Sequence, residues 1–333
     1  MSSPTTEAVV QANSLGPRAP RRASGQEPRK RPVKGARFAF WWMVLPFFAG
    51  ITVFGIIAIV WSVYLSFFDA RSTLTPTVFV GMANYVRLLT DPSFLQSMAT
   101  FAIFAVLIVP TTLAFALALA MLVNNLPFAQ AFFRSVFFLP TAFSYVIASV
   151  IWKLGLFSGQ GAGVANSVLG LFGIDPISTW VTQSPLYWIV IVTMRLWLQV
   201  GFYMLLFLAG LQRIPAMLYE AAALDGLSRG PRRFWMITWP QLRPTVAAVV
   251  LLLTIAAFQA FDEFYNLVPT IPAARPPLLY LYNVSFAQLD YGKGAAGALI
   301  LTAIMVVVAL LQNRFLGFNA ADDAKPRRQR KKA

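Results

Sequence analysis

Residues 97–124 read SMATFAIFAVLIVPTTLAFALALAMLVN and contain no Asp, Glu, Lys, Arg or His. An α-helix rises 1.5 Å per residue, and about 20 helical residues cross the roughly 30 Å hydrocarbon core of a bilayer. This stretch is therefore long enough and apolar enough to span a membrane. Pro110 would break a helix in water, but a helix in lipid tolerates proline when neighbouring groups satisfy the freed carbonyl.

Further apolar segments of spanning length lie on both sides of this one. The first exceeds the length needed, so we expect it to tilt or to end in the interface. The sequence predicts an all-α, polytopic membrane protein with six transmembrane helices. The five other segments are 40–68, 132–156, 186–212, 245–266 and 295–316.

The composition agrees with a membrane protein and excludes several kinds of chemistry. Of the 333 residues, 58% are hydrophobic and only 12% are charged, whereas soluble domains carry about 25% charged residues. The chain has no Cys and no His. Disulfides, thiolate nucleophiles, Cys/His zinc sites and a Ser-His-Asp triad are therefore absent. We predict no catalytic residue, no metal site and no cofactor.

The net charge of +15 is concentrated at the two ends of the chain. On a soluble domain such an excess would suggest nucleic acid, but here it flanks apolar segments and reports membrane orientation. We predict a disordered basic tail at 1–37, a six-span domain at 38–318 and a basic tail at 319–333. Basic loops favour the cytoplasm, so both termini are predicted to be cytoplasmic, and the tails can contact anionic membrane lipid.

The loop at 213–243 is too long and too well patterned for a simple connection. Residues 215–224 favour a helix with Pro215 near its first turn, and Gly226 can supply the left-handed stop. A second short segment, 234–238, should end at Pro240. The sequence predicts two short helices around a glycine turn at the inner membrane surface.

The small residues of this loop form a recognisable pattern, and the pattern resembles the EAA motif of permease subunits of ABC importers. Ten residues separate Gly226 from Ile237 where nine are usual, as if one were inserted near 228–230, and Trp239 replaces the usual Leu. The motif residues are Glu220, Ala221, Ala222, Gly226, Ile237 and Pro240.

The resemblance extends from Phe38 to Gly317 and is greatest to carbohydrate-uptake permeases. It rests on the order and spacing of several stretches. The outer loop at 268–276 lacks the glycine-rich turn common in sugar permeases. The supporting stretches are ANYVRLLTDPSF (83–94), FFLPTAFSYVIASVIWK (137–153), GFYMLLFLAGLQRIP (201–215), YEAAALDG (219–226) and FDEFYNLVPT (261–270).

The resemblance implies a transmembrane subunit of a bacterial or archaeal cell-membrane importer that forms half of a translocation pathway and works by alternating access. It implies that the loop helix docks on nucleotide-binding ATPase subunits. Further partners would be a second, similar permease and an extracytoplasmic solute-binding protein. The chain has no Gly-x-x-x-x-Gly-Lys-Ser/Thr loop, so ATP would be hydrolysed by another subunit.

Polar side chains inside the predicted spans are candidates for the solute pathway, because charge at membrane depth is costly and usually lines a cavity or pairs. Arg195 is close to the middle of the fourth span, with Gln199 and Tyr203 on the same stripe. The alternative is that Arg195 belongs to an internal salt bridge and that the acidic residues face outer water. The candidates are Arg195, Gln199, Tyr203, Gln259, Asp262 and Glu263.

The solute implied is a sugar or oligosaccharide, with glycerol phosphate or a polyol as the alternative within the same family. An ion-coupled secondary carrier would commonly have inverted repeats and mid-span carboxylates, and neither is found here. An intramembrane enzyme would need His, Cys or paired carboxylates at catalytic depth, which the spans lack.

Overall fold

The computed structural model describes residues 36–161, 163–227 and 230–316. The predicted tails at 1–37 and 319–333 lie outside these residues, except for 36 and 37, which belong to the helical segment Ala36–Gly50 that overlaps the start of α1. Contacts divide the chain into Met1–Ile57 and Ala58–Ala333, and all sites described below lie in the second unit. The helices are α1 (Phe40–Ser66), α2 (Ala83–Leu89), α3 (Pro92–Asn124), α4 (Gln130–Ala142), α5 (Tyr145–Leu156), α6 (Val164–Leu171), α7 (Leu186–Gln212), α8 (Ala216–Leu224), α9 (Pro231–Phe258), α10 (Asp262–Leu267), α11 (Pro277–Tyr282) and α12 (Tyr291–Leu316).

The described residues form an all-α membrane fold, as predicted. Five helices (α1, α3, α7, α9 and α12) are long and apolar enough to cross a bilayer, and a sixth span results if the bent pair α4 and α5 counts as one. Strand pairing in the described residues is limited to isolated bridges, Phe68 to Phe79 and Arg71 to Asp290. The protein is therefore a multi-pass helical membrane protein.

Helix α3 supports the core of the bundle and runs unbroken through Pro110. Asp91 caps its first turn, because the Asp91 carboxylate accepts a hydrogen bond of 2.9 Å from the Ser93 amide. Phe104 and Ile108 of α3 belong to the same buried cluster as Met194 and Leu198 of α7. Helices α3 and α7 therefore form the central pair that positions the polar residues described below.

The third predicted span, 132–156, is bent into two helices and forms the sixth span if the bent pair is counted as one. Helices α4 and α5 meet at 90°. Pro140 lies in a 3-10 turn, and Ser144 then starts α5 by accepting a hydrogen bond from the Ile147 amide at 3.3 Å. The Thr141 hydroxyl donates to the Leu198 carbonyl of α7 at 3.1 Å. A proline without an amide proton, followed by a strong cap, favours a break over a continuous helix.

The fifth predicted span, 245–266, is also corrected at both ends. Helix α9 begins at Pro231, and Pro240 lies within it instead of ending a separate short helix. Pro240 is accommodated because it falls in the first turn of the α-helical part that follows a π-helical stretch, Phe234–Thr238. Helix α9 ends at Phe258, so Asp262 and Glu263 lie beyond a break, at the start of α10.

The break after α9 has a visible cause at the Ala256 carbonyl. In a continuous helix this oxygen would accept from the Ala260 amide. Here it accepts instead from the Arg195 guanidinium at 2.8 Å, and the Ala260 amide turns to the Ala257 carbonyl at 3.1 Å. A side chain of α7 has thus replaced the helical hydrogen bond at the point where α9 stops.

Candidate functional site

Helix α8 is a short helix with a well-defined end. The Gly226 amide donates to the Ala223 carbonyl at 3.2 Å, and the Leu227 amide donates to the Ala222 carbonyl at 2.8 Å. Gly226 has a φ of +79°. This pair of bonds around a left-handed glycine is a Schellman motif, which ends a helix and redirects the chain. The predicted glycine stop is therefore present.

Most of the surface of α8 is uncovered in this single chain. Ala222 is buried, whereas Glu220, Ala221 and Gly226 are exposed. Two large apolar side chains are also exposed, Met217 at 72% and Leu224 at 90%. Small residues, exposed apolar side chains and one carboxylate thus share a nine-residue helix. Such a surface is suited to close approach by another protein.

Helix α8 is fastened to the start of α9. The Tyr219 and Thr238 hydroxyls are hydrogen-bonded at 3.2 Å. The Arg233 guanidinium lies over the Tyr219 ring at 5.1 Å. Ile237 and Pro240 are half-buried on α9. Helix α8 also follows α7 after only three residues, so it is held between two membrane-length helices.

Arg195 of α7 forms a buried ion pair with Glu263 of α10. The distance from Nη1 to Oε1 is 2.6 Å, and the two residues are 5% and 1% exposed. The guanidinium also lies 5.2 Å from the centroid of the Tyr145 ring and 5.9 Å from that of Phe104. A carboxylate, a backbone carbonyl and two aromatic rings thus surround this buried cation.

The other candidates are distributed around this pair. Gln199 donates to the Tyr145 hydroxyl at 2.8 Å, so Gln199 joins the Arg195 network through a residue of α5 that the sequence analysis did not select. Tyr203 is buried in a second apolar cluster with Phe207. The short-range sequence signal for Tyr145 is weak, because its role depends on the bend between α4 and α5.

Gln259 and Asp262 are exposed and belong to a different environment. Gln259 lines a cavity of about 470 Å³ between the end of α9, α11 and α12. Phe261 stacks on Tyr265 at a centroid distance of 5.4 Å, and Tyr282 packs edge-on against Phe261 at 5.2 Å. The structure therefore brings Arg195, Gln199 and Glu263 together but leaves Gln259 beside an aromatic wall.

No group of three or more His, Cys, Asp or Glu residues that could hold a metal ion occurs among the residues that the structure describes. The polar groups above are arranged for hydrogen bonding and ion pairing.

The fold resembles that of solved ABC importers. The chain superimposes with a TM-score of 0.72 on a chain from the crystal structure of a bacterial ABC transporter involved in the import of the acidic polysaccharide alginate, at 20% identity, covering 85% of this chain and 96% of that one. A second structure, of bacterial alginate ABC transporter in complex with alginate pentasaccharide-bound periplasmic protein, gives a TM-score of 0.71 at 19% identity, covering 84% and 95% of the chains. The chain therefore shares the helical fold of these transporter chains.

Sequence relatives define the family. No protein-family model matches the chain. The chain is 35% identical over 294 residues to the lactose transport system permease protein LacF of Rhizobium radiobacter, covering 86% of this chain and 94% of that protein. It is 32% identical over 271 residues to a probable ABC transporter permease protein of Pyrococcus horikoshii, covering 80% and 91%. It is 34% identical over 246 residues to the sn-glycerol-3-phosphate transport system permease protein UgpA of Agrobacterium fabrum, covering 72% and 80%. The chain belongs to the family of ABC transporter permease proteins.

Proposed function

We propose that this chain is the transmembrane subunit of an ATP-driven importer and forms half of a translocation pathway that works by alternating access. The observation that carries the proposal is the exposed helix α8, which is fastened to α9 and directly follows α7. A force applied to α8 would reach the two helices that hold the Arg195 network. Because the sequence has no Gly-x-x-x-x-Gly-Lys-Ser/Thr loop, ATP hydrolysis is proposed to belong to a separate subunit.

The ATPase subunit is proposed to dock on the exposed surface of α8. Glu220 offers a charge, and Ala221 allows close approach of another backbone. Ala222 is buried against the chain, and Gly226 fixes where the helix ends. Ile237 and Pro240 lie on the part of α9 to which α8 is fastened through Tyr219 and Thr238. The departure in the motif near 228–230 falls partly on Ser228 and Arg229, which lie outside the described residues.

The solute is proposed to be a sugar or oligosaccharide. Planar hydrogen-bonding groups and aromatic faces suit sugars. The cavity lined by Gln259 offers both, because the Gln259 amide lies beside aromatic side chains. Asp262 is exposed three residues further along the chain. Arg195, Glu263, Gln199 and Tyr203 remain candidates for the pathway, and the first three belong to the buried polar network. Glycerol phosphate or a polyol is the second candidate, favoured by the similarity to the sn-glycerol-3-phosphate permease.

Further partners are proposed because one chain would form only half of a translocation pathway. Six spans provide one side of a pathway, so a second permease, similar but different, would provide the other. An extracytoplasmic solute-binding protein would deliver the solute. Both termini would be cytoplasmic, because the basic tails flank the apolar segments.

The test is ATP-driven uptake in proteoliposomes that contain the chain with its ATPase, second permease and binding protein. Gly226→Pro should insert normally but lose ATP-driven uptake, because proline cannot adopt a φ of +79° and removes the amide that bonds Ala223. Glu220→Ala should act in the same direction. Gln241→Ala, at an exposed position of α9, is the matched control.

Normal uptake by Gly226→Pro would contradict the proposed coupling. Uptake driven by an ion gradient without ATP would replace the importer with a secondary carrier.

A further inference from the structure

A second cavity lies at one end of the bundle, away from the exposed face of α8. Its volume is about 450 Å³, and it is enclosed by the end of α3, the start of α9 and one side of α8. Three apolar residues, Met121, Leu211 and Phe234, form part of its wall. Neither the docking surface nor the solute pathway proposed above uses this space.

The polar groups of the cavity wall offer several hydrogen-bond donors. They are the guanidinium of Arg233, the side-chain amides of Asn124 and Asn125, and one proton of the hydrogen-bonded hydroxyl pair of Tyr219 and Thr238. No carboxylate is present among the described residues of the wall. A cation and several neutral donors around one space are the chemistry that binds an anion.

The end of α3 points its last carbonyls toward this region, and a bare helix C-terminus would repel an anion. These carbonyls already have donors. The Asn125 amide bonds the carbonyls of Met121 and Leu122, and the Leu126 amide bonds that of Val123. The Gln130 side chain donates to the Asn124 carbonyl at 3.2 Å. The end of α3 is therefore already supplied with hydrogen-bond donors from its own segment and from Gln130.

A second guanidinium is connected to the same helix end. Arg134 donates to the Gln130 side-chain oxygen at 3.2 Å, and Gln130 in turn bonds Asn124. The buried Nε of Arg134 has no hydrogen-bond partner in the structure. The positive charge around this end of α3 is thus greater than the cavity wall alone provides.

The cavity lies at the level where two spans end. Helix α3 ends at Asn124, and α9 starts at Pro231. Trp235 is 61% exposed beside the cavity wall and contacts Trp239 at a centroid distance of 5.5 Å. Tryptophan is enriched at the level of the lipid headgroups, and basic pockets between spans bind anionic headgroups.

We propose that this cavity binds a phosphate group, with Arg233 as its main cationic contact and with Asn125 and the Tyr219–Thr238 hydroxyl pair completing the site. The phosphate can belong to the headgroup of an anionic lipid or to a free phosphate, and the wall chemistry is the same for both. Because the ligand would touch α8 and α9 together, its occupancy would stiffen their connection. The proposal concerns binding and does not depend on the transport function.

The experiment uses the full chain with the subunits that co-purify with it, in nanodiscs of mixed phosphatidylcholine and phosphatidylglycerol. Native mass spectrometry measures which lipid is retained after detergent extraction. The wild type should retain phosphatidylglycerol, and Arg233→Gln should reduce that retention about tenfold, because one charge-assisted contact is lost. Arg232→Gln is the matched control, since Arg232 is exposed and does not line the cavity.

A second arm measures binding of inorganic phosphate to lipid-depleted protein by calorimetry. Asn125→Asp places a carboxylate at an exposed position of the cavity wall with little change in shape. Its negative charge should weaken binding of whichever ligand the wild type binds, phosphatidylglycerol or inorganic phosphate. Arg233-dependent retention of phosphatidylglycerol identifies a lipid site, and Arg233-dependent binding of inorganic phosphate alone identifies a free-phosphate site. If folded Arg233→Gln and Asn125→Asp match wild type in both arms, the proposal is overturned.

Discussion

Arg195 illustrates how a single side chain is stabilised at membrane depth. An unpaired ion there would be strongly unfavourable, and Arg195 has a carboxylate, a carbonyl and two ring faces as partners. The same guanidinium also takes the carbonyl that would otherwise continue α9. One residue of α7 thus connects the charge of α10 with the end of α9.

Arg195→Ala should destabilise the protein by about 3–5 kcal/mol, because it leaves the buried Glu263 carboxylate without its partner. Thermal unfolding of the purified protein measures this. Uptake should also weaken while assembly with partner subunits persists. The control is Arg195→Ala combined with Glu263→Ala, which removes both charges and should recover part of the stability. Wild-type stability and uptake in Arg195→Ala would exclude both roles.

Asn166 is a residue whose role the sequence does not reveal. Its side-chain amide donates to the carbonyls of Ser158, Gln160 and Ile177 at 3.0–3.1 Å. Its side-chain oxygen accepts from the Ile177 amide at 3.1 Å and from the Trp180 indole at 2.9 Å. A single buried side chain therefore closes the loop between α5 and α7.

Asn166→Asp should loosen this loop, because the carboxylate keeps the acceptors but loses the donors to three carbonyls. Limited proteolysis within 157–185 should become faster, while the spans remain protected. Asn266→Asp is a suitable control, since Asn266 makes one exposed contact with the Asp262 carbonyl. Equal cleavage rates in the two variants would contradict the role assigned to Asn166.

At the scale of elements, α7 crosses the bent pair α4 and α5 at Gly201, a residue without a side chain. A Cβ placed on Gly201 would meet the backbone of Phe137, and Thr141 bonds the Leu198 carbonyl one turn away. The absence of a side chain at Gly201 lets the two backbones approach closely, as small residues do between membrane helices. The bend between α4 and α5 is held at this crossing.

Gly201→Ala should lower the thermal midpoint and the yield of folded protein, because the methyl group would collide with backbone atoms that cannot rotate away. Gly155→Ala is the matched control. A Cβ at Gly155 would have no neighbour within 4 Å, so that variant should be neutral. A Gly201→Ala protein with the wild-type thermal midpoint would show that α7 and α4 can move apart without loss of stability.

At the scale of the whole molecule, one carboxylate connects the starts of two spans. The Asp91 carboxylate, at the start of α3, accepts from Lys293 of α12 and from Tyr280 of α11, each at 2.7 Å. Burial alone would raise the pKa of Asp91, but hydrogen bonds from Lys293, Tyr280 and the Ser93 amide lower this pKa to about 2. The pKa of Tyr280 is raised by burial and by its bond to Asp91.

The lowered pKa of Asp91 makes the stability of the folded protein depend on pH. The Asp91 pKa is lower in the folded protein than its ordinary value of 3.8, so its contribution to stability is complete above pH 3.8 and is lost as pH falls toward 2. Asp91→Asn should therefore show a smaller fall in unfolding midpoint across this window than the wild type. Asp175→Asn, at an exposed position between α6 and α7, should keep the wild-type decline. Parallel curves for wild type and Asp91→Asn would contradict this connection.

The sequence predicted most of the fold and part of the candidate site. Span length and apolar content are local properties, so the positions of α1, α3, α7 and α12 followed from them. The glycine stop at Gly226 was also predictable, because a left-handed helix end favours glycine wherever it occurs. The Arg195 network was only half predicted: the sequence selected Arg195, Gln199 and Glu263 but offered no means of finding Tyr145.

The amino-acid sequence by itself determined that the chain crosses a membrane as helices and that the loop helix ends at Gly226, since hydrophobic length and glycine conformation need no distant partner. Only the tertiary structure decided where two spans break. The third span bends where Thr141 meets a carbonyl of α7, and the fifth ends where Arg195 takes the Ala256 carbonyl. In lipid no water can satisfy a freed carbonyl, so the end of α9 depends on the donor that α7 brings to Ala256, and the sequence alone does not show which helices meet.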